Sequence, residues 1–192
     1  LNFKAGEAES LRVLGLYYYS KSDYPSALEF YEKAIHISDS LGDDNALALC
    51  YLGIGNVYRK QADFPESINF YQKALKKAEK VENLLCMSQS MGNIGLIYWR
   101  REDYPTAQTY FEKSYDIAEA NGFKKEMSNA LNNIGLLHYF LDDHKKAVDY
   151  MLQSLKMDEE LGDSSGVSYS YHNMGEIYKL KDDYKNAMTY YS

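Results

Sequence analysis

Two short groups of polar residues have the types and spacing that catalysis or metal binding would need. His172 and Glu176 stand four residues apart, as two metal ligands on one helix face would, but no third ligand recurs nearby. We interpret this pair as solvated surface. Asp142, Asp143 and His144 could support acid–base chemistry, yet they occupy a turn position where Asp-Tyr stands elsewhere in the chain. We therefore predict no catalytic site, no metal and no cofactor.

A second set of residues has the chemistry to bind a peptide backbone. Asparagine recurs at one spacing, as Asn93, Asn133 and Asn173. A carboxamide carries an acceptor and two donors, so it can pair with the N–H and the C=O of a peptide at the same time. Several stacked carboxamides would hold an extended chain whatever its side chains. The alternative is that these asparagines bridge neighbouring helices through water.

A regularly spaced glycine defines the helix that would carry these asparagines. It stands at Gly15, Gly55, Gly95, Gly135 and Gly175, which is one glycine every 40 residues. The residues four before, one before and three after it are mostly apolar or aromatic, as in Tyr51, Ile54 and Tyr58. At about 100° per residue these positions share one stripe of an α-helix. The pattern predicts the first helix of a repeated unit.

An aspartate eight residues after each glycine marks the start of a second helix. The set is Asp23, Asp63, Asp103, Asp143 and Asp183, and aspartate is a favoured N-cap. The second helices are expected to end near Gly42, at 81–83, near Gly122 and near Gly162, where glycine or asparagine can take the left-handed conformation. The predicted helix pairs are 7–21 with 24–41, 44–61 with 64–81, 84–101 with 104–121, 124–141 with 144–161, and 164–181 with 184–192, after a leading segment 1–6.

The two-helix pattern resembles the tetratricopeptide repeat. Each unit contains, in this order, an aromatic residue or leucine, an apolar residue followed by glycine, a tyrosine, a turn, an alanine, an aromatic residue and a second alanine. There are local departures, such as His138 and Met151. The repeat has 40 residues instead of about 34, as in the long-repeat branch that includes kinesin light chains, cell-polarity adaptors and bacterial peptide-pheromone regulators. The resemblance implies an all-α fold, a right-handed α-solenoid of antiparallel helix pairs.

The spacing also predicts how the chain is organised. We expect a single array of about four and a half repeats, at 1–42, 43–82, 83–122, 123–162 and 163–192. The last repeat is cut off at Ser192, so we interpret the chain as an excerpt of a longer protein. A truncated repeat leaves an apolar face without a cap, and this face is a possible surface for self-association.

The ligand is expected on the face of each first helix that lies opposite the core stripe. Positions six before, two before, one after and five after the glycine cluster there. In the long-repeat proteins that this chain resembles, asparagines at the matching position hold ligand peptides. The predicted groove residues, with an adjoining tryptophan, are Asn56, Lys60, Gln89, Asn93, Trp99, Arg100, Asn129, Asn133, Phe140 and Asn173.

The C-terminal ends of the first helices add charge and aromatic surface to this predicted groove. Cations there, namely Arg59, Lys60, Arg100 and Lys179, are favoured by the helix dipole in any case. They would also select a ligand segment with acidic residues. Trp99 and Phe140 are of the types that anchor interfaces, and we expect them to accept an apolar side chain of the ligand.

Composition excludes several other classes of partner. The chain of 192 residues carries a formal net charge of −7 and has a pI near 5.1, which argues against nucleic acid or an anionic membrane surface. No apolar run reaches about 18 residues, the length a spanning helix needs. Cys50 and Cys86 fall on first helices and are interpreted as small packing residues. A reducing, cytoplasmic location is therefore predicted.

Two functions fit these observations. The first is a non-catalytic protein-interaction module that binds a peptide or helix in its concave groove. The second is a regulatory or sensory segment of a larger signalling protein, with a kinase or transcription-regulator output, that acts through self-association. An undetected hydrolase is a third, weaker alternative.

Deleting residues 164–192 should leave the first four units folded, because each repeat of a solenoid contacts only its neighbours. Far-UV circular dichroism of the truncated chain should fall in proportion to length. Complete loss of helicity would contradict the repeat interpretation.

Overall fold

A computed structural model of the chain describes residues 2–180 and residue 188. Within this part the regular structure is entirely α-helical. The helices from residue 2 to residue 180 are α1 Asn2–Ser20, α2 Tyr24–Leu41, α3 Asp44–Lys60, α4 Phe64–Lys80, α5 Leu84–Arg100, α6 Tyr104–Asn121, α7 Lys124–Phe140, α8 His144–Leu161 and α9 Ser164–Leu180. The predicted helix 184–192 and its cap Asp183 lie outside the described residues.

Almost every helix begins and ends within one residue of its predicted bounds. The exception is α1, which begins at Asn2, so the prediction of a separate leading segment was wrong. Lys4 and Ala5 are good helix formers, and the one glycine, Gly6, costs only about 1 kcal/mol relative to alanine. Because nothing in this stretch stops a helix, the helix extends through it.

The predicted aspartate caps of the second helices are confirmed. The carboxylates of Asp23, Asp63, Asp103 and Asp143 accept the backbone N–H three residues later at 3.2 or 3.3 Å. Each such cap is worth about 1 kcal/mol. The first helix α3 uses the same device, since Asp43 accepts the backbone N–H of Ala46 at 2.9 Å, whereas Phe123 at the start of α7 makes no side-chain cap.

The ends of the second helices follow the prediction at three of four sites. Gly42, Gly122 and Gly162 adopt left-handed φ values of 66°, 69° and 68°. In the second repeat the left-handed residue is Glu82, with φ 53°, and not Asn83 as the sequence suggested. The Asn83 side chain instead accepts the backbone N–H of Cys86 at 2.9 Å. Asparagine is more useful there as the N-cap of α5 than as a left-handed residue.

The chain divides into two compact units, Leu1–Ile97 and Tyr98–Ser192. In the first unit α1 packs on α2, α2 on α3 and α3 on α4, and α1 also contacts α3. The described part of the second unit repeats this arrangement, with α6 on α7, α7 on α8, α8 on α9, and α7 against α9. Successive helices and successive first helices therefore contact each other, as expected for a solenoid of helix pairs.

The repeated glycine creates the space in which a large side chain of the second helix packs. A Cβ atom added to Gly15 would lie 2.8 Å from the ring of Tyr31, and one added to Gly55 would lie 2.6 Å from the ring of Tyr71. In the fourth repeat the equivalent neighbour of Gly135 is Met151, at 2.9 Å. These distances show that the first helix packs closely on the second helix at all three of these glycines.

A buried carboxylate connects the last three described helices. Asp158 is only 1% exposed and occupies the position at which earlier repeats have Ser38, Ala78 and Ala118. The hydroxyl of Ser128 on α7 donates to it at 2.6 Å, and the ammonium of Lys125 lies 3.5 Å away. On α9, Gly166 leaves room for the carboxylate, because an added Cβ would lie 2.4 Å from it. This polar contact, which the sequence analysis did not predict, joins α8 to α7, and the missing side chain at Gly166 lets α9 pack closely over the carboxylate.

Replacing Gly55 with alanine should destabilise the protein by roughly 1–3 kcal/mol, because the new methyl group overlaps the fully buried Tyr71 ring. Gly6→Ala is the matched control, since its Cβ meets nothing within 4 Å and alanine favours the helix. Thermal and urea unfolding would measure both changes. Equal stability of the two variants would contradict the packed-glycine interpretation.

Candidate functional site

The predicted groove residues all lie on first helices, where they differ in exposure. Lys60, Arg100, Asn129 and Phe140 are exposed, whereas Asn56, Gln89, Asn93, Trp99, Asn133 and Asn173 are half-buried. The half-buried group contains most of the amides. Hydrogen bonds within the chain account for the partial burial of three of these amides, Asn56, Asn93 and Asn173.

In the first unit, Asn56 ties three helices together. Its side-chain oxygen accepts a hydrogen bond from the Tyr71 hydroxyl of α4 at 2.7 Å and another from the Asn93 amide of α5 at 3.1 Å. The guanidinium of Arg59 donates to the Tyr71 oxygen at 3.3 Å. Burial raises the pKa of Tyr71 to about 12, so the phenol stays protonated and remains a donor. Asn93 therefore contacts the neighbouring first helix directly, and not through water.

The second unit repeats this link between first helices. The Asn173 amide of α9 donates to the side-chain oxygen of Asn132 on α7 at 3.3 Å. Asn132 is buried, at 6% exposure, and was not among the predicted residues. It stands one residue before Asn133, and its corresponding residues in other repeats are Leu52 and Gly92. Only its departure from the repeat pattern could have identified it.

A cavity of about 330 Å³ opens on the same face in the second unit. Trp99, Phe140 and Asn173, which were predicted as site residues, line it together. Leu136 on α7, and Tyr169 and Glu176 on α9, also lie on the side of their helices that is opposite the core stripe. The described lining residues are Trp99, Leu136, Tyr139, Phe140, Met151, Tyr169, His172, Asn173 and Glu176.

Aromatic side chains form much of the cavity wall. The rings of Trp99 and Phe140 meet edge to face with centroids 5.3 Å apart, and those of Tyr139 and Phe140 meet in the same way at 5.2 Å. Tyr104, at the start of α6, stacks behind Phe140 at 6.4 Å. Such contacts hold each ring in place. Phe140 and Tyr169 are nevertheless 48% and 49% exposed, so both rings present area to a ligand.

The polar part of the cavity comes from Asn173 and from two residues that the sequence analysis interpreted as solvated surface. His172 and Glu176 both line the cavity, and that interpretation missed their position. The Glu176 carboxylate lies 3.7 Å from the ammonium of Lys179. Burial, and to a lesser extent the charge of Glu176, raise the pKa of Tyr139. Among the described residues, no cluster of three or more histidine, cysteine or acidic side chains is placed to hold a metal ion.

The remaining chemical groups of interest have structural roles. Cys50 and Cys86 are free and fully buried, and burial raises the pKa of these thiols to about 12 and about 11. Reaction requires the thiolate, so both cysteines are packing residues. Asp143 caps α8, and His144 pairs with Asp142 at 2.9 Å and packs beside Tyr139. This agrees with the interpretation of that turn as capping and packing.

The fold and this face define the chain as an all-α protein of repeated helix pairs. Family models described as the tetratricopeptide repeat match residues 8–44, 44–120, 84–160 and 126–192. The chain belongs to the tetratricopeptide repeat family. None of the curated proteins compared with it matches the sequence.

Several solved structures share the fold. BtubC (BKLC) from P. vanneervenii is 19% identical, with a TM-score of 0.80 over 97% of this chain and 78% of that chain. A Rap protein complexed with Competence and Sporulation Factor is 20% identical, with a TM-score of 0.84 over 96% of this chain and 52% of that one. Aspartyl phosphate phosphatase F from Bacillus subtilis is 17% identical, with a TM-score of 0.81 over 98% and 58%. This chain thus spans between half and three fifths of the length of the last two proteins.

Among the described helices, none combines the length and the apolar character that crossing a bilayer requires.

Asn56→Ala should destabilise the protein by about 1–3 kcal/mol, because the buried Tyr71 hydroxyl loses its acceptor. Asn129→Ala removes an exposed amide from the same predicted set and should change stability by less than about 0.5 kcal/mol. Chemical denaturation would compare the two. A neutral Asn56 variant would show that the contact with Tyr71 contributes nothing to folding.

Proposed function

We propose that the chain is a non-catalytic protein-interaction module that binds a peptide or partner helix on the solvent-facing side of its first helices. The cavity of the second unit is the observation that carries the proposal. It lies on the face that the repeat pattern assigns to the ligand, and it is lined by three of the predicted residues. Exposed aromatic rings around a concave, largely apolar surface are typical of interface anchors.

The amides on this face have hydrogen-bonding capacity beyond their internal contacts. A carboxamide has two donor hydrogens and an acceptor oxygen with two lone pairs. Asn93 and Asn173 each use one donor in a contact between first helices. Asn129 is exposed and Asn133 half-buried on α7, and these two are the best placed to hold a ligand backbone.

In this proposal, positive charges at the ends of the first helices favour acidic side chains of the ligand. Two of the four cations considered in the sequence have partners within the chain, since Arg59 donates to Tyr71 and Lys179 lies near Glu176. Lys60 and Arg100 are exposed at the ends of α3 and α5. On a chain of net charge −7, these two positive charges favour contact with acidic residues of a partner.

The comparisons are consistent with this function. One similar structure is a Rap conjugation gene regulator in complex with the Phr* peptide; it is 22% identical, with a TM-score of 0.81 over 94% of this chain and 50% of that one. A phosphatase also shares the fold, but the described thiols and the acidic group at residues 142–144 have packing and capping roles here. The buried free thiols also support a reducing, cytoplasmic setting. Self-association through the last repeat concerns residues outside the described part.

The proposal is tested with a displayed peptide library screened against the whole chain, followed by affinity measurements on the selected peptides. The double variant Asn129→Ala with Asn133→Ala should weaken all ligands several-fold, because backbone contacts do not depend on ligand sequence. Lys60→Glu and Arg100→Glu should each weaken acidic ligands by about two- to five-fold, as exposed charge contacts of up to about 1 kcal/mol imply, and should reduce the salt dependence.

Lys156→Glu is the matched control, because Lys156 is an exposed lysine on the second helix α8. It makes the same change in net charge away from the first-helix face. If Lys156→Glu weakened ligands as much as Arg100→Glu, or if the amide variant bound like the wild type, binding on this face would be ruled out. A selected set without acidic residues would overturn the charge preference.

A further inference from the structure

The lining of the cavity combines aromatic faces with a single carboxylate. Trp99, Tyr139, Phe140 and Tyr169 contribute rings, and Glu176 contributes the negative charge. Leu136 adds aliphatic surface over the fully buried Met151, and His172 and Asn173 add polar groups. Among the described lining residues there is no lysine or arginine. The chemistry of this pocket therefore differs from that of Lys60 and Arg100, which favour acidic groups.

Aromatic rings and carboxylates both attract cations. The face of an aromatic ring carries partial negative charge, and a cation within about 6 Å of the centroid gains roughly 0.5–2 kcal/mol, more as the site loses water. Lysine and arginine side chains also have an apolar stem that packs on aliphatic and aromatic surface. A side chain with an apolar stem and a cationic end therefore matches both parts of the lining.

Other side chains match the cavity less well. An acidic side chain would be repelled by Glu176. A purely apolar one, as expected for Trp99 and Phe140 from the sequence, would cover the carboxylate and remove it from water without replacing its hydrogen bonds. A volume of about 330 Å³ is at the lower end of the range for small-molecule sites, so it suits one side chain better than a larger ligand.

We propose that this cavity binds the side chain of a lysine or arginine of the partner, with its stem against Leu136 and its charged end between the aromatic rings and Glu176. The proposal rests on the function proposed above, and it adds that the ligand residue in this cavity is positively charged. Lys179, 3.7 Å from Glu176 and more than half exposed, already accommodates a cation beside this carboxylate. Because an exposed pair of this kind is worth at most about 1 kcal/mol, it does not prevent a ligand cation from binding.

The cavity contains the only tryptophan of the chain, Trp99, so intrinsic fluorescence reports on it directly. The probes are N-acetyl methylamides of arginine, lysine, citrulline, norleucine and glutamate, titrated into the whole protein at millimolar concentration. Citrulline preserves the shape of arginine without its charge, and norleucine preserves the apolar stem of lysine. The arginine and lysine probes should bind about two- to thirty-fold more tightly than their neutral counterparts, the ratio that 0.5–2 kcal/mol gives.

Two variants identify the groups responsible. Glu176→Gln should reduce the preference for arginine over citrulline, because the carboxylate's share is lost, and should leave norleucine binding unchanged. Glu112→Gln is the control, since Glu112 is an exposed carboxylate of α6 that Gln108 contacts within the same helix, and it should retain the preference. Tyr169→Leu should weaken the cationic probes more than norleucine, because it removes a ring but keeps apolar surface. Circular dichroism would confirm that each variant is folded.

Several outcomes would overturn the cation site. These are equal binding of charged and neutral probes, tightest binding of the glutamate probe, no fluorescence response to any probe, or equal effects of Glu176→Gln and Glu112→Gln. Single-residue probes do not require an extended backbone. The Asn129→Ala and Asn133→Ala variant should therefore keep the arginine preference even if peptide binding through the amides is disproved, which separates the two proposals.

Discussion

The close approach of a first helix to the following second helix, as in α1 to α2, α3 to α4 and α7 to α8, is the contact on which the rest of the structure depends. A residue with no side chain meets one with a large side chain, as in Gly15 with Tyr31, Gly55 with Tyr71 and Gly135 with Met151. Because a ring or a methionine fills the space over each of these three glycines, one side of the first helix that carries it is committed to the core. The opposite side is left for contacts between first helices and for ligands.

The contacts that stabilise the fold and the binding proposed above use the same helix face. Asn56 and Asn93 join α3 to α5, and Asn132 and Asn173 join α7 to α9. The carboxamide suits both tasks, because it can satisfy a neighbouring amide and still offer hydrogen-bonding groups to a ligand. Asn129 and the cavity at α7 to α9 are the parts of this face that we propose for a partner.

Helix caps and turns were predicted correctly where they depend on residues close in sequence, and contacts between residues far apart in sequence were missed. The caps Asp23 and Asp103 and the left-handed Gly42 were predicted correctly because the residues that form each contact lie within a few positions in sequence. Glu82 was missed because two local rules competed for Asn83, and the N-cap of the next helix outweighed the C-terminal position. Asp158 was missed because its burial is compensated by Ser128, 30 residues earlier, and by the absence of a side chain at Gly166.

The sequence by itself determined the helix pairs of the described part, their order, the core stripe and the helix face opposite to it. Strict 40-residue spacing repeats the same local physics, so any one unit predicts the others. The tertiary structure alone decided which residues meet in the cavity. Trp99 comes from α5, Phe140 from α7, Met151 from α8 and Glu176 from α9, and their juxtaposition depends on how these helices pack. A periodic pattern specifies the angle of a residue around its own helix, but the enclosed space between helices depends on side-chain volumes from all of them.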